Sequence, residues 1–181
     1  MAVILDHFSR RVVGFAVFTK EPSGAQVCEM LERAVKRVGR APKYTVTDQG
    51  VQFRSEYLGW CQRHGVQPRF GAVGKHGSIA IIERFFLTMK DEATRRMLVP
   101  MRLQEMRREL VLFACWYNEH RPSQALCGRT PAEVYEAREP AAEQAIRAPK
   151  TGRDCSKRVE LAVSYLEGRN HLPIVELRAA A

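Results

Sequence analysis

Tyr44-Thr45-Val46-Thr47-Asp48-Gln49-Gly50 is the stretch on which the reading turns. Tyr44, Thr45 and Val46 are β-prone and read as a brief buried strand. The strand runs out at a carboxylate beside a glycine. Ligand sites in open α/β sheets gather at such strand ends. The same letters also suit a plain turn, because Asp-x-Gly is common turn chemistry. Asp48 is therefore a candidate functional residue with a structural alternative attached.

Upstream, Met1–Leu5 and Arg11–Phe18 are short β-prone runs. The polar segment Asp6-His7-Phe8-Ser9-Arg10 joins them as a hairpin connection, with Asp6 expected in the turn beside Ser9 or Arg10. Ser23 opens a helix, with Gln26 three residues on as in a capping box and Gly39 past its end. Val27, Leu31, Ala34 and Val38 recur at helical spacing and should face a sheet. Downstream, Ser55 starts a second helix that runs to about His64 and stops at Gly65. Gln67–Phe70 reads as another strand. Gly71 to Ser78 contains three glycines and Lys75, and reads as a mobile loop.

One long helix is expected over Ile79–Met97, with Ile82, Phe86, Met89, Ala93 and Met97 as its apolar stripe and Pro100 beyond it. The next, Leu103–Asn118, repeats the pattern through Leu103, Met106, Leu110, Phe113 and Tyr117. Thr130-Pro131-Ala132-Glu133 is a helix start with N-cap, proline at the first position and glutamate at the third. Residues 138–157 turn to Ala, Pro, Glu, Lys and Arg and read as a linker. Val159–Leu166 and Leu172–Leu177 read as a β hairpin around Glu167-Gly168-Arg169-Asn170, packing on the core or serving as a small module of its own. The order of elements gives an α/β core, residues 1–137, with a helical extension and a small β tail, 158–181.

The 181 residues carry 29 Lys plus Arg against 20 Asp plus Glu, a net charge of +9. That balance favours a polyanionic partner, nucleic acid being the commonest. No run approaches the length of a membrane span, and Met1–Leu5 lacks the form of a signal peptide, so a cytoplasmic protein with no membrane partner is expected. Cys28, Cys61, Cys115, Cys127 and Cys155 show no C-x-x-C spacing. They argue against a zinc site or disulfide framework and are expected to be mostly buried or half-buried thiols.

Glu83 is the second candidate. It sits between Ile82 and Phe86, at the edge of the stripe, where a carboxylate is expected to be partly desolvated. A glutamate that reaches solvent, or pairs with Arg84 or Lys90, is the structural alternative. Asp48 and Glu83 together are more informative than either alone. One helix and a glycine-rich loop separate them, a path that could bring a strand-end carboxylate beside a helix carboxylate. Phosphoryl transfer on DNA requires such a cluster, because both oxygens of the in-line displacement need charge stabilisation, which carboxylate-held Mg²⁺ ions supply. Lys90 falls two helical turns after Glu83 and could touch a phosphate, or be a solvated surface lysine.

The motifs resemble a known family. Residues 6–14, Asp6-His7-Phe8-Ser9-Arg10-Arg11-Val12-Val13-Gly14, look like the second and third strands of the integrase core in bacterial insertion-sequence transposases. Thr47-Asp48-Gln49-Gly50, followed by Phe53-Arg54-Ser55, is similar to that family's second acidic motif. Gly74-Lys75-His76-Gly77-Ser78-Ile79-Ala80-Ile81-Ile82-Glu83-Arg84-Phe85-Phe86, with Lys90 and Glu92, is similar to the third. Tyr117-Asn118-Glu119-His120-Arg121-Pro122 and Gly128-Arg129-Thr130-Pro131-Ala132-Glu133 are similar to its C-terminal signature, with Ser123 where histidine is common. The resemblance spans about residues 1 to 137.

It implies a DDE transposase or integrase catalytic core with a ribonuclease-H-like mixed sheet. Asp48 and Glu83 would be the second and third acidic residues, catalytic and metal-binding, with Lys75, Arg84 and Lys90 at DNA. Mg²⁺ or Mn²⁺ at a two-metal site, element ends and target DNA as partners, and a homo-oligomer on DNA are further implications. The family's first acidic residue lies on a central strand that nothing here matches; Asp6 corresponds to a different position. Without that strand, Met1–Leu5 should shift onto Tyr44–Val46, the sheet should stay split, or a partner should donate a strand. The alternative to an enzyme core is a non-catalytic DNA-binding or subunit-binding fragment that regulates an intact transposase.

Overall fold

The computed structural model describes residues 1–71, 79–138 and 159–179, which fall into two compact units, Met1–Thr88 and Met89–Ala181. The glycine-rich loop with Lys75, most of the expected linker, and Cys155 lie outside the described residues.

In the first unit, strands β1 (Ala2–Leu5) and β2 (Val12–Ala16) form an antiparallel ladder. The connection between them is locked by Asp6, whose Oδ2 accepts from the Ser9 amide at 2.8 Å and from Ser9 Oγ at 2.7 Å. Helix α1 (Gly24–Val38) begins at the Ser23–Gln26 capping box and ends on Gly39 at φ 79°, a left-handed position suited to glycine. Strand β3 (Tyr44–Thr47) pairs in parallel with β4 (Gln67–Phe70), in the register Tyr44↔Gln67 to Thr47↔Phe70. Helix α2 (Ser55–Arg63) connects them.

Helices α1 and α2 hold the core of this unit: Val27, Leu31, Tyr57, Trp60, Cys61 and Val66, with Ile4 and Phe53 packed against it. Burying each aliphatic side chain of this kind contributes about 1.5–3 kcal/mol. Both ladders touch this core. Ile4 reaches it from β1, and Thr45 of β3 shares a 2.6 Å hydrogen bond with the Tyr57 hydroxyl. Burial pushes that phenol up to about 12. The ladders do not pair with each other. Of the three outcomes expected for the sheet, the split one is observed: β1–β2 and β3–β4 are separate two-stranded sheets.

Helix α3 (Ala80–Met89) leads to a five-residue π turn, Lys90–Thr94, rather than continuing as one helix to Met97. The expected stripe is also displaced. Phe85 is the buried residue of α3, at 3% exposure, whereas Ile82, Phe86 and Met89 are half-buried. In the second unit, α4 (Leu103–Glu119) buries Leu110, Phe113, Trp116 and Tyr117 and packs on the short α5 (Pro131–Tyr135). Strands β5 (Val159–Tyr165) and β6 (Pro173–Ala179) form an antiparallel hairpin. It is tied to α4, since Trp116 Nε1 donates to the Pro173 carbonyl at 2.7 Å and Arg169 Nη2 to Glu109 at 2.8 Å.

Cys28 is half-buried and Cys61 buried, as expected for most of the thiols, whereas Cys115 and Cys127 are exposed. Cys115 lies on the outer face of α4, between buried Ala114 and Trp116. No helix among the described residues is long and apolar enough to cross a membrane.

Candidate functional site

Asp48 directly follows β3, at the carboxyl end of the parallel pair, and is exposed. The ladder runs one bond further, from the Gly71 amide to the Thr47 carbonyl at 2.8 Å, which places Gly71 beside Asp48. Asp48 Oδ1 accepts from the Gly50 amide at 2.9 Å, the side chain closing its own turn. The structural and functional readings of Asp-x-Gly are therefore compatible. One oxygen fixes the turn, and the other takes no hydrogen bond from a described residue.

Beyond Gly71 the chain re-enters as α3 with Glu83 in its first turn. The helix dipole favours a carboxylate there. The expected partial desolvation of Glu83 is corrected, because the residue is exposed. The reason is rotational. The helix buries the face of Phe85, and two residues back is roughly 200° around the helix, on the opposite side. Glu83 pairs with neither Arg84 nor Lys90, and its carboxylate accepts no hydrogen bond from, and forms no ion pair with, a described residue. Arg84 and Lys90 are exposed as well.

Asp48, Glu83 and Arg84 belong to the first unit and Lys90 to the second; Lys75 lies outside the described residues. No group of three or more His, Cys, Asp or Glu that could hold a metal occurs among the described residues. Two exposed carboxylates with uncommitted oxygens are hard ligands of the kind Mg²⁺ prefers, though fewer than a complete two-metal site requires.

Sequence reasoning quoted Glu92 and Arg121 within motifs but did not connect them. Arg121 Nε and Nη2 donate to Glu92 Oε2 and Oε1 at 2.6 and 2.7 Å, a two-pronged pair that raises the guanidinium's pKa. The partners are 29 positions apart, and no periodicity in the sequence signals the contact.

The mixed α/β arrangement is that of a ribonuclease-H-like core, and the matches that follow place the chain in the integrase core family, whose members act in DNA integration and transposition and generally depend on divalent metal. The family described as "Integrase core domain" matches in two parts, residues 1–76 and residues 64–131. Among curated proteins, the chain is 30% identical over 135 residues to an uncharacterized 39.2 kDa protein of insertion element IS476 from Xanthomonas euvesicatoria. That match covers 74% of this chain and 38% of the relative's length.

Among solved structures, the catalytic core domain of BIV integrase aligns with a TM-score of 0.58 at 20% identity, over 81% of this chain and 88% of that one. The HTLV-2 integrase catalytic core domain in complex with magnesium (trimeric form) aligns at 0.56 and 20% identity, over 72% and 80%. A simian T-cell lymphotropic virus intasome in complex with PP2A regulatory subunit B56 gamma gives 0.57 at 18% identity, over 98% and 59%. At these identities the structural likeness bears on the fold alone.

Proposed function

We propose that this chain is a large part of a DNA transposase of the DDE type, in which Asp48 and Glu83 are two of the carboxylates that hold Mg²⁺ or Mn²⁺. The observation that carries the reading is that both acids are exposed, each with at least one oxygen that has no partner among the described residues, on either side of the segment that leaves β4 next to Asp48. The metal would supply charge stabilisation to the attacking and leaving oxygens of a phosphodiester. Arg84, Lys90 and Lys75 are assigned to DNA phosphates, which fits the net charge of +9. We keep residues 1–137 as the catalytic core and its helical extension, 138–157 as a linker and 158–181 as a β tail. Element ends and target DNA are the proposed substrates. A homo-oligomer on DNA is the proposed working form, in the cytoplasm.

The chain by itself is proposed to be inactive in strand transfer. What supports this is that the two ladders, β1–β2 and β3–β4, are separate two-stranded sheets among the described residues. The split sheet also favours a second reading, in which the chain binds an intact transposase subunit that lends it a strand and so regulates that subunit. A Mg²⁺-dependent joining assay on the purified chain, with Asp48→Ala as control, tests the first point. No product is expected from either protein, and joining that disappears only in the variant would overturn the proposed inactivity. Metal binding is read separately by Mn²⁺ paramagnetic broadening in NMR spectra. Amide signals around Asp48 and Glu83 should broaden together and recover in Asp48→Asn; broadening elsewhere only would refute the site.

A further inference from the structure

Several bonds of the signature segment over residues 117–133 stay within the stretch 119–138. Arg129 Nη2 donates to the carbonyls of Glu133 and Arg138 at 3.1 and 2.9 Å. Thr130 and Glu133 close the capping box of α5. Glu119 accepts from Arg138 at 2.8 Å. Arg121 differs from these, because its fork reaches back to Glu92. The two side chains are only 24% and 29% exposed, so water competes weakly for the pair.

Glu92 is the middle residue of the π turn Lys90–Thr94. That turn is closed by the Arg95 amide on the Lys90 carbonyl at 3.0 Å, a five-residue step. Ala93 anchors it in the core at 1% exposure. A π turn is rarer than continued α-helix and occurs often at functional sites, so a tertiary contact in its centre bears directly on whether it persists. Lys90, the first residue of the turn, is exposed, and its ammonium has no partner among the described residues.

We infer that Arg121 is a positioning residue for Lys90. Its fork on Glu92 fixes the π turn, and the turn sets the direction in which the Lys90 ammonium is presented to a DNA phosphate. This rests on the assignment of Lys90 to phosphate made above. A guanidinium is required because only a planar fork bonds both carboxylate oxygens at once; an ammonium supplies a point charge with no such geometry.

The test is binding of the whole chain to a fluorescein-labelled DNA duplex, followed by anisotropy over a range of salt concentrations. Lys90→Ala should weaken binding roughly threefold and lower the slope of log affinity against log salt by about one, the signature of one phosphate contact. Arg121→Lys should reproduce both changes, and should add nothing in the double variant with Lys90→Ala. Glu92→Gln, which keeps the side-chain shape, provides the same comparison if Arg121→Lys does not fold. Additive losses in the double variant, or a lowered melting temperature with an unchanged salt slope, would show a merely structural pair and overturn the inference. Binding that depends on Lys90 but not on Arg121 removes the inference alone. No binding by the unaltered chain, with Lys90→Ala indistinguishable from it, removes the phosphate assignment as well.

Discussion

Two pairs of carboxylates in this chain are treated in opposite ways. Glu92 and Glu109, in the second unit, are each gripped by an arginine, Arg121 and Arg169, through two nitrogens. Asp48 and Glu83, in the first unit, are exposed; one lends a single oxygen to its own turn and the other is uncommitted. An acid already neutralised by a guanidinium has little left to offer a cation. The difference separates acids committed to holding the second unit together from acids that leave oxygens uncommitted, as the proposed metal site requires.

The contrast is tested most severely by Arg121→Ala. The pair is neither a solvated surface bridge, worth up to about 1 kcal/mol, nor a fully buried one, where losing a partner costs about 3–5 kcal/mol. With both side chains about three-quarters buried, a loss of about 2 kcal/mol is expected in urea unfolding followed by a probe in the second unit. A change under about 0.5 kcal/mol would place Glu92 among the uncommitted acids.

Acid provides the next test. The hydrogen bond from Arg169, aided by its charge, holds the Glu109 carboxyl below the ordinary range. A depressed folded value stabilises the protein above the unfolded value, about 4.3 for glutamate, and that contribution fades as pH falls through the folded one. The hairpin β5–β6 should therefore loosen from α4 only below about pH 4. Tryptophan emission should report it, since Trp116 donates to Pro173 of the hairpin. In Glu109→Gln the acid transition should vanish, and its persistence would point to another group.

The smallest effect is expected from Asp48→Asn and Glu83→Gln. Exposed side chains that make no more than one local hydrogen bond, kept by the substitution, change stability by no more than about 0.5 kcal/mol. Asparagine can still accept from the Gly50 amide, so the turn survives. Thermal melts should be nearly superimposable with those of the unaltered chain, and a loss above about 1 kcal/mol would mean that the acids are structural after all.

Local features were legible in the sequence because their causes are local. Ser23 with Gln26, Thr130 with Glu133, Gly39 at a left-handed cap and Asp6 bonding Ser9 all act within a few residues, and each is present in the structure. The strand ending at Asp48 was legible for the same reason, but not its burial: Tyr44 and Val46 are exposed, where a buried strand was expected. The end of α3 was not. Ala93 fits an α-helical stripe as well as it fits a π turn, and the contact at the centre of that turn comes from Arg121, far along the chain. Glu83 was misread for a related reason. Ile82 and Phe86 made a plausible inward face, but Phe85 is the residue the core accepts, and that choice turned Glu83 outward.

The unjoined ladders have a consequence for how the chain behaves in company. β1 and β3 are each four residues long and, among the described residues, each have one strand neighbour. The backbone donors and acceptors on their far sides must be satisfied by solvent. An extended segment lying along either would convert a row of hydrated amides into a ladder.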